Sequence, residues 1–204
     1  QALEGYNGAC VVIDPETGAI LAMASSPTYD AGDVESILSG GGDSSALYNR
    51  ATQALYSPGS TFKIVSLTTA LENNVATEQS VYSAPSTLEI GGGEVTNFNG
   101  ASYGDITLER ATELSVNTVF AQLGTEIGSE GLVNSSEEFG FNQEISFDLP
   151  LVTSLMPDPN EMTEWETAWA SAGEPVGEHE SPAGPQATVL QMALVGCAIA
   201  NDGV

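Results

Sequence analysis

The sequence predicts an α+β fold: a β-hairpin followed by a mainly helical body. Three observations carry that prediction. Two short Val-, Ile- and Leu-rich runs flank a Pro- and Gly-containing turn near the start. Helix signals recur from Pro58 onward. Residues 187–201 then read as one apolar helix stopped by Asn201-Asp202-Gly203.

Gly8 to Asp14 and Ala19 to Ser25 are the two strands, with Asp14-Pro15-Glu16-Thr17-Gly18 between them. Proline presets one turn residue and glycine supplies a left-handed one. Residues 26–49, rich in Gly, Ser and Asp, are expected to be irregular. Ser60 opens a helix whose apolar residues include Phe62, Ile64, Val65, Leu67 and Leu71, and which ends near Glu72-Asn73-Asn74. Residues 75–104 read as loops with short strands, including a flexible Ile90-Gly91-Gly92-Gly93. Thr107 opens a second helix running to Gly124, and a third, weaker one covers about 130–139. Residues 149–186 mix loop with a short helix around Trp165 and Trp169. There is no internal repeat.

The charge is one-sided. The 204 residues carry 28 acidic side chains against three basic ones, a net charge of −25. That argues against nucleic acid and anionic lipid as partners. The acidic residues are scattered and read as a solvated surface. His179 is the sole histidine and no calcium-loop pattern occurs, so neither a metal nor a cofactor is expected. No apolar run is long enough to span a bilayer. The chain opens at Gln1 on polar and acidic residues without a signal-peptide pattern, and an upstream anchor removed beforehand is the expectation. Cys10 and Cys197 sit in apolar contexts; two buried free thiols are expected, with a disulfide as the alternative.

The basic residues are Arg50, Arg110 and one lysine, Lys63. The lysine follows a serine at helical spacing, in Pro58-Gly59-Ser60-Thr61-Phe62-Lys63. Residues i and i+3 share a helix face, so the amine can reach the Ser60 hydroxyl. Lowering a lysine pKa from about 10.4 to roughly 7–8 costs about 3–4 kcal/mol at 1.36 kcal/mol per unit. Burial and the positive helix start supply it. The Ser60 N–H is then a candidate oxyanion donor. The plainer alternative is a surface helix with an incidental lysine, because S-x-x-K alone is a weak pattern. Ser115-Val116-Asn117 is a second motif, S-x-N. Positions i and i+2 of a regular helix point about 200° apart, so both face one site only if the helix breaks there. If it breaks, Ser115 can relay a proton and Asn117 can bind an amide; if not, these are two polar helix positions.

Together the motifs resemble those of penicillin-binding proteins and class A β-lactamases. The chain resembles the transpeptidase domain of class B penicillin-binding proteins, and is most similar to the actinobacterial penicillin-binding protein A group. The opening Val11–Met23 hairpin, Asn49-Arg50-Ala51, Gly104–Leu108, Leu190-Gln191-Met192-Ala193 and Ala200–Gly203 carry the likeness beside the two motifs. The resemblance implies a β-lactamase/transpeptidase-like fold, with an antiparallel sheet of which this chain holds the N-terminal hairpin, and a helical subdomain. It implies that Ser60 is the acylated nucleophile, Lys63 its general base, Ser115 the proton shuttle and Asn117 the holder of the substrate peptide. It implies D,D-transpeptidation of peptidoglycan stem peptides, inhibition by β-lactam antibiotics, other cell-wall synthesis proteins as partners, and a place on the extracytoplasmic face of the bacterial plasma membrane. A penicillin-sensing or catalytically silent cell-wall-peptide module and a serine β-lactamase are the alternatives. Two departures stand out. Ala183-Gly184-Pro185-Gln186 replaces a Gly-Gln-Gly-like stretch, and no lysine follows position 63, so K-T-G is absent. Residues 1–204 are therefore expected to be the N-terminal part of a catalytic domain.

Overall fold

The computed structural model describes residues 3–203; Gln1, Ala2 and Val204, at the ends of the expected 1–204 domain, lie outside the described residues. The chain divides into two compact units.

The first unit holds residues 3–56, 144–153 and 187–203. Strand β1 (Gly8–Ile13) pairs antiparallel with β2 (Ile20–Ser26), with a bulge between Val12 and Ile13. The predicted turn forms for the expected reasons: Asp14 Oδ1 accepts the Glu16 N–H at 3.0 Å, and Gly18 takes φ +70°. The stretch expected to be irregular contains a short helix α1 (Val34–Leu38). Asn49-Arg50-Ala51 clips onto β2 through the Arg50 N–H, which donates to Ser25 Oγ at 3.1 Å. The apolar C-terminal helix, numbered α6 below, lies against β1.

The cysteines depart from expectation. Both are free, but Cys10 is exposed and Cys197 half-buried. Strand alternation explains the first: Cys10 and Val12 face outward while Val11 and Ile13 face inward. Cys197 lies two positions, about 200°, beyond the fully buried Val195.

The second unit holds residues 57–143 and 154–186. After a 3-10 turn over Gly59–Phe62 comes α2 (Lys63–Glu72). Two small antiparallel sheets follow. β3 (Val81–Ala84) pairs with β6 (Gly104–Thr107), and β4 (Thr87–Ile90) pairs with β5 (Gly93–Thr96). Helix α3 (Leu108–Glu113) starts on Thr107, whose hydroxyl accepts the Arg110 N–H. The predicted second helix is split between α3 and the start of helix α4 (Asn117–Glu138), which runs on through the predicted third across a non-helical Gly128. Helix α5 (Glu164–Ala172) opens on a capping box between Thr163 and Glu166. Helix α6 (Val189–Ala200), in the first unit, completes the order.

Small residues let the helices of this unit approach closely. A Cβ on Gly124 of α4 would collide with the Ser171 side chain of α5. Ser171 Oγ donates to the Phe120 carbonyl at 2.6 Å, and Ser66 Oγ of α2 donates to the Ser171 carbonyl at 2.7 Å. The core between α2, α3 and α4 includes Ala70, Leu108, Val116, Val119, Phe120 and Leu123. The Gly-rich stretch expected to be flexible is instead docked. A Cβ on Gly93 would strike the Trp165 ring, and Trp165 and Trp169 both donate their indole N–H to the Glu94 carbonyl at 3.1 Å. Gly93 serves close approach to an aromatic ring, and Gly91 close approach to the backbone where α5 begins.

Phe62 and Phe141 are fully buried and meet edge to face, with ring centroids 5.5 Å apart. Phe141→Ala removes a buried ring and leaves a cavity, so it is expected to lower the unfolding free energy by about 3–5 kcal/mol. Urea unfolding followed by circular dichroism measures this; a loss under about 1 kcal/mol would show that the site collapses freely.

Candidate active site

The site lies wholly within the second unit. Gly59, at φ +52°, turns the chain so that Ser60 enters the 3-10 turn ahead of α2. The tight turn places Lys63 at the first position of α2, one turn below Ser60, where it is only 4% exposed. Its Nζ lies 3.0 Å from Ser60 Oγ.

The S-x-N segment breaks the helix, as its spacing requires. Helix α3 ends at Glu113, and Ser115 adopts φ +55°, a conformation that β-carbon-bearing residues seldom take. Val116 is extended and buried, and Asn117 begins α4. The turn is held by the Val116 N–H, which donates to the Ala111 carbonyl at 2.9 Å. Both polar side chains therefore reach Lys63. Nζ is 2.9 Å from the Ser115 carbonyl, 3.0 Å from Ser115 Oγ and 2.6 Å from Asn117 Oδ1. The Asn117 amide is oriented by its Nδ2, which donates to the Thr96 carbonyl at the end of β5 at 2.9 Å.

This set of partners has a chemical consequence. The Ser115 carbonyl and Asn117 Oδ1 can only accept, so they take N–H donors from the amine. A neutral amine has two N–H groups and one lone pair. With both N–H groups so engaged, the lone pair is left for a hydroxyl proton, and Ser60 and Ser115 are the hydroxyls within reach. Burial favours that neutral form, lowering the Lys63 pKa to about 8; the Glu174 carboxylate acts in the opposite direction. The Phe120 ring, its centroid 5.4 Å from Nζ, adds an apolar wall.

A cavity of about 630 Å³ opens over this cluster, lined by Ser60, Ser115, Asn117, Phe98, Trp169 and Glu174 among others. All four residues singled out by sequence thus meet at one place. Sequence reasoning missed their supports. Asn97 is one: its Nδ2 is 3.1 Å from Thr118 Oγ1 and its Oδ1 accepts the Thr118 N–H at 3.0 Å, joining the end of β5 to the start of α4. Glu174 is another, and no local pattern marks it. Among the described residues no group of His, Cys, Asp and Glu side chains could hold a metal ion. His179 faces the Ser181 carbonyl, 2.7 Å from its Nδ1. The departing stretch 183–186 is strapped down, with Gln186 and Leu155 exchanging backbone hydrogen bonds at 2.7 and 2.9 Å.

The penicillin-binding protein transpeptidase domain model matches residues 8–204. The chain is 30% identical over 214 residues to the peptidoglycan D,D-transpeptidase MrdA of Acinetobacter baumannii, covering 100% of the chain and 32% of that relative. It is 31% identical over 211 residues to the peptidoglycan D,D-transpeptidase PbpA of Mycolicibacterium smegmatis, covering 97% of the chain and 41% of that relative. Among solved structures, the D,D-transpeptidase domain of a peptidoglycan glycosyltransferase from Eggerthella lenta is similar with a TM-score of 0.96 and 59% identity, over 100% of this chain and 51% of that one. The imipenem acyl-enzyme complex of penicillin-binding protein A from M. tuberculosis is similar with a TM-score of 0.82 and 30% identity, over 100% of this chain and 48% of that one. The chain thus spans between about a third and a half of these proteins.

The lowered Lys63 pKa implies a pH dependence of stability. An unfolded lysine titrates near 10.5 and the folded one near 8, so the unfolded chain binds more protons between those values. The Lys63 contribution therefore rises with pH across that window and is lost as pH falls to 8. Urea unfolding of the wild type and Lys63→Met at pH 7.5 and 10.5 should show the wild type gaining roughly 3 kcal/mol relative to the variant. Parallel pH profiles would mean that Lys63 is not held neutral.

Proposed function

Because the chain belongs to the penicillin-binding protein transpeptidase family, we propose that it is the Ser60-bearing part of a D,D-transpeptidase that cross-links peptidoglycan stem peptides through an acyl-serine intermediate. The observation that carries this is the convergence of Ser60 Oγ, Ser115 Oγ and Asn117 Oδ1 within 3.0 Å of one buried amine.

In this reading the neutral Lys63 takes the Ser60 proton as Oγ attacks the donor peptide carbonyl. The C–Oγ bond forms, the peptide C–N bond breaks, and the proton passes through Ser115 to the leaving amine. An acceptor amine then attacks the ester carbonyl. Its proton returns by the same route to Ser60 Oγ as the C–Oγ bond breaks. The Asn117 amide, engaged by Lys63 and the Thr96 carbonyl, carries a second N–H that suits a substrate carbonyl. β-Lactams mimic the donor and are trapped on Ser60. The cross-linking place of such a protein is the extracytoplasmic face of the plasma membrane. No helix among the described residues is long and apolar enough to cross a membrane.

Mass spectrometry of the full-length protein incubated with a penicillin tests the proposal. A covalent adduct is expected, lost in Ser60→Ala and retained in Ser57→Ala, and its persistence over many minutes separates a transpeptidase from a β-lactamase. No adduct under any condition sinks the proposal. The acylation rate is expected to rise with pH through a midpoint near 8, because the base must be neutral. Lys63→Ala should slow acylation by roughly 10²–10⁴-fold.

A further inference from the structure

Glu174 stands outside both motifs, yet it is the one ionisable side chain among the residues lining the cavity over Ser60. Its position follows from the end of α5. Gly173 terminates that helix at φ +95°, and a Cβ there would collide with the Gly59 carbonyl. Only glycine lets the two backbones approach so closely. The contact is made by hydrogen bonds. The Gly59 N–H donates to the Gly173 carbonyl at 3.0 Å, and the Ser57 hydroxyl lies 3.0 Å from both that carbonyl and Glu174 Oε2. Its single proton serves one acceptor at a time. Glu174 is thereby tied to the segment that leads into the nucleophile, with Oε1 3.7 Å from where a Gly59 Cβ would stand.

The groups around Lys63 can be followed element by element. The 3-10 turn brings the Ser60 hydroxyl; the turn between α3 and α4 brings Ser115; and α4 brings Asn117 and the Phe120 ring. All of these are uncharged. The segment after α5 brings Glu174, whose negative field opposes the effect of burial on Lys63.

We infer that Glu174 is a positioning residue for the nucleophile pair: held through Ser57 and Gly173 against the turn that carries Ser60, its carboxylate sets the electrostatic field in which Lys63 works as a base. The inference deepens the transpeptidase reading and rests on Ser60 and Lys63 being nucleophile and base. Without that carboxylate, Lys63 gives up its proton more readily. The base form then exists at lower pH but is a weaker proton acceptor.

A substitution assigns the signal that the test reads. In the full-length protein labelled with [13C]lysine, the side-chain Cε signal that disappears in Lys63→Met reports Lys63. Glu174→Gln keeps the size of the side chain and an oxygen for Ser57 while removing the charge. Its Cε titration midpoint is expected to fall by roughly half a pH unit or more. Glu174→Asp keeps the charge and should stay closer to the wild type than Glu174→Gln does. In the full-length protein, the rising limb of penicillin acylation should shift to lower pH in Glu174→Gln by a matching amount. A Glu174→Gln midpoint equal to that of the wild type overturns the inference, as does an equal fall in both variants. The two readings fail separately. Absence of any penicillin adduct on wild-type Ser60 removes the transpeptidase assignment, while the lysine titration decides whether Glu174 governs Lys63.

Discussion

The second unit depends on one costly arrangement: an amine withdrawn from water, whose burial favours its neutral form. A buried ammonium whose hydrogen-bond partners are all uncharged is poorly compensated, and the Glu174 carboxylate offsets only part of the cost. Lys63 escapes that cost by lowering its proton affinity, and its neighbours suit the outcome. Two carbonyl oxygens occupy N–H donors, and two hydroxyls stand where a lone pair can be used. The base is thus made by its environment and needs no unusual side-chain chemistry.

The rest of the unit keeps these atoms within hydrogen-bonding range. Three separate segments place them, the 3-10 turn before α2, the turn between α3 and α4, and the end of β5 that holds the Asn117 amide, and each is fixed by its own local device. The first leans on Gly173, the second on a left-handed Ser115 above the buried Val116, and the third on Asn97 and its bonds to Thr118. Close packing at Gly124 and Ser171 keeps α2, α4 and α5 near enough for the segments to meet. Positive φ at a serine costs of order 1–2 kcal/mol, which the surrounding core sustains. That strain lets two residues two apart in sequence face one amine.

Much of this was legible in the residue order. The hairpin turn, the end of α2 near Asn73 and the apolar helix before Asn201 follow from local rules of turns, caps and periodicity. Ser60 and Lys63 were legible because lysine is so scarce here. The pairing of Ser115 with Asn117 was legible only as a condition, that the helix must break, since nothing in Leu114-Ser115-Val116 is a strong helix stop. Glycines at 91–93 looked flexible because their partner, Trp165, lies some seventy residues away. The cysteines looked buried because apolar neighbours in sequence do not say which face of a strand or helix a side chain takes.

By itself the sequence determined the local elements, the spacing of the nucleophile and its base, and the family to which they belong, because each depends on residues close together along the chain. Only the tertiary structure decided that the second motif turns toward the first, that Asn97 supports it, and that Glu174 reaches the nucleophile turn. Those depend on contacts between segments twenty to more than one hundred residues apart. Such contacts are chosen by packing, burial and the few glycines that allow backbones to touch, and no local pattern records them.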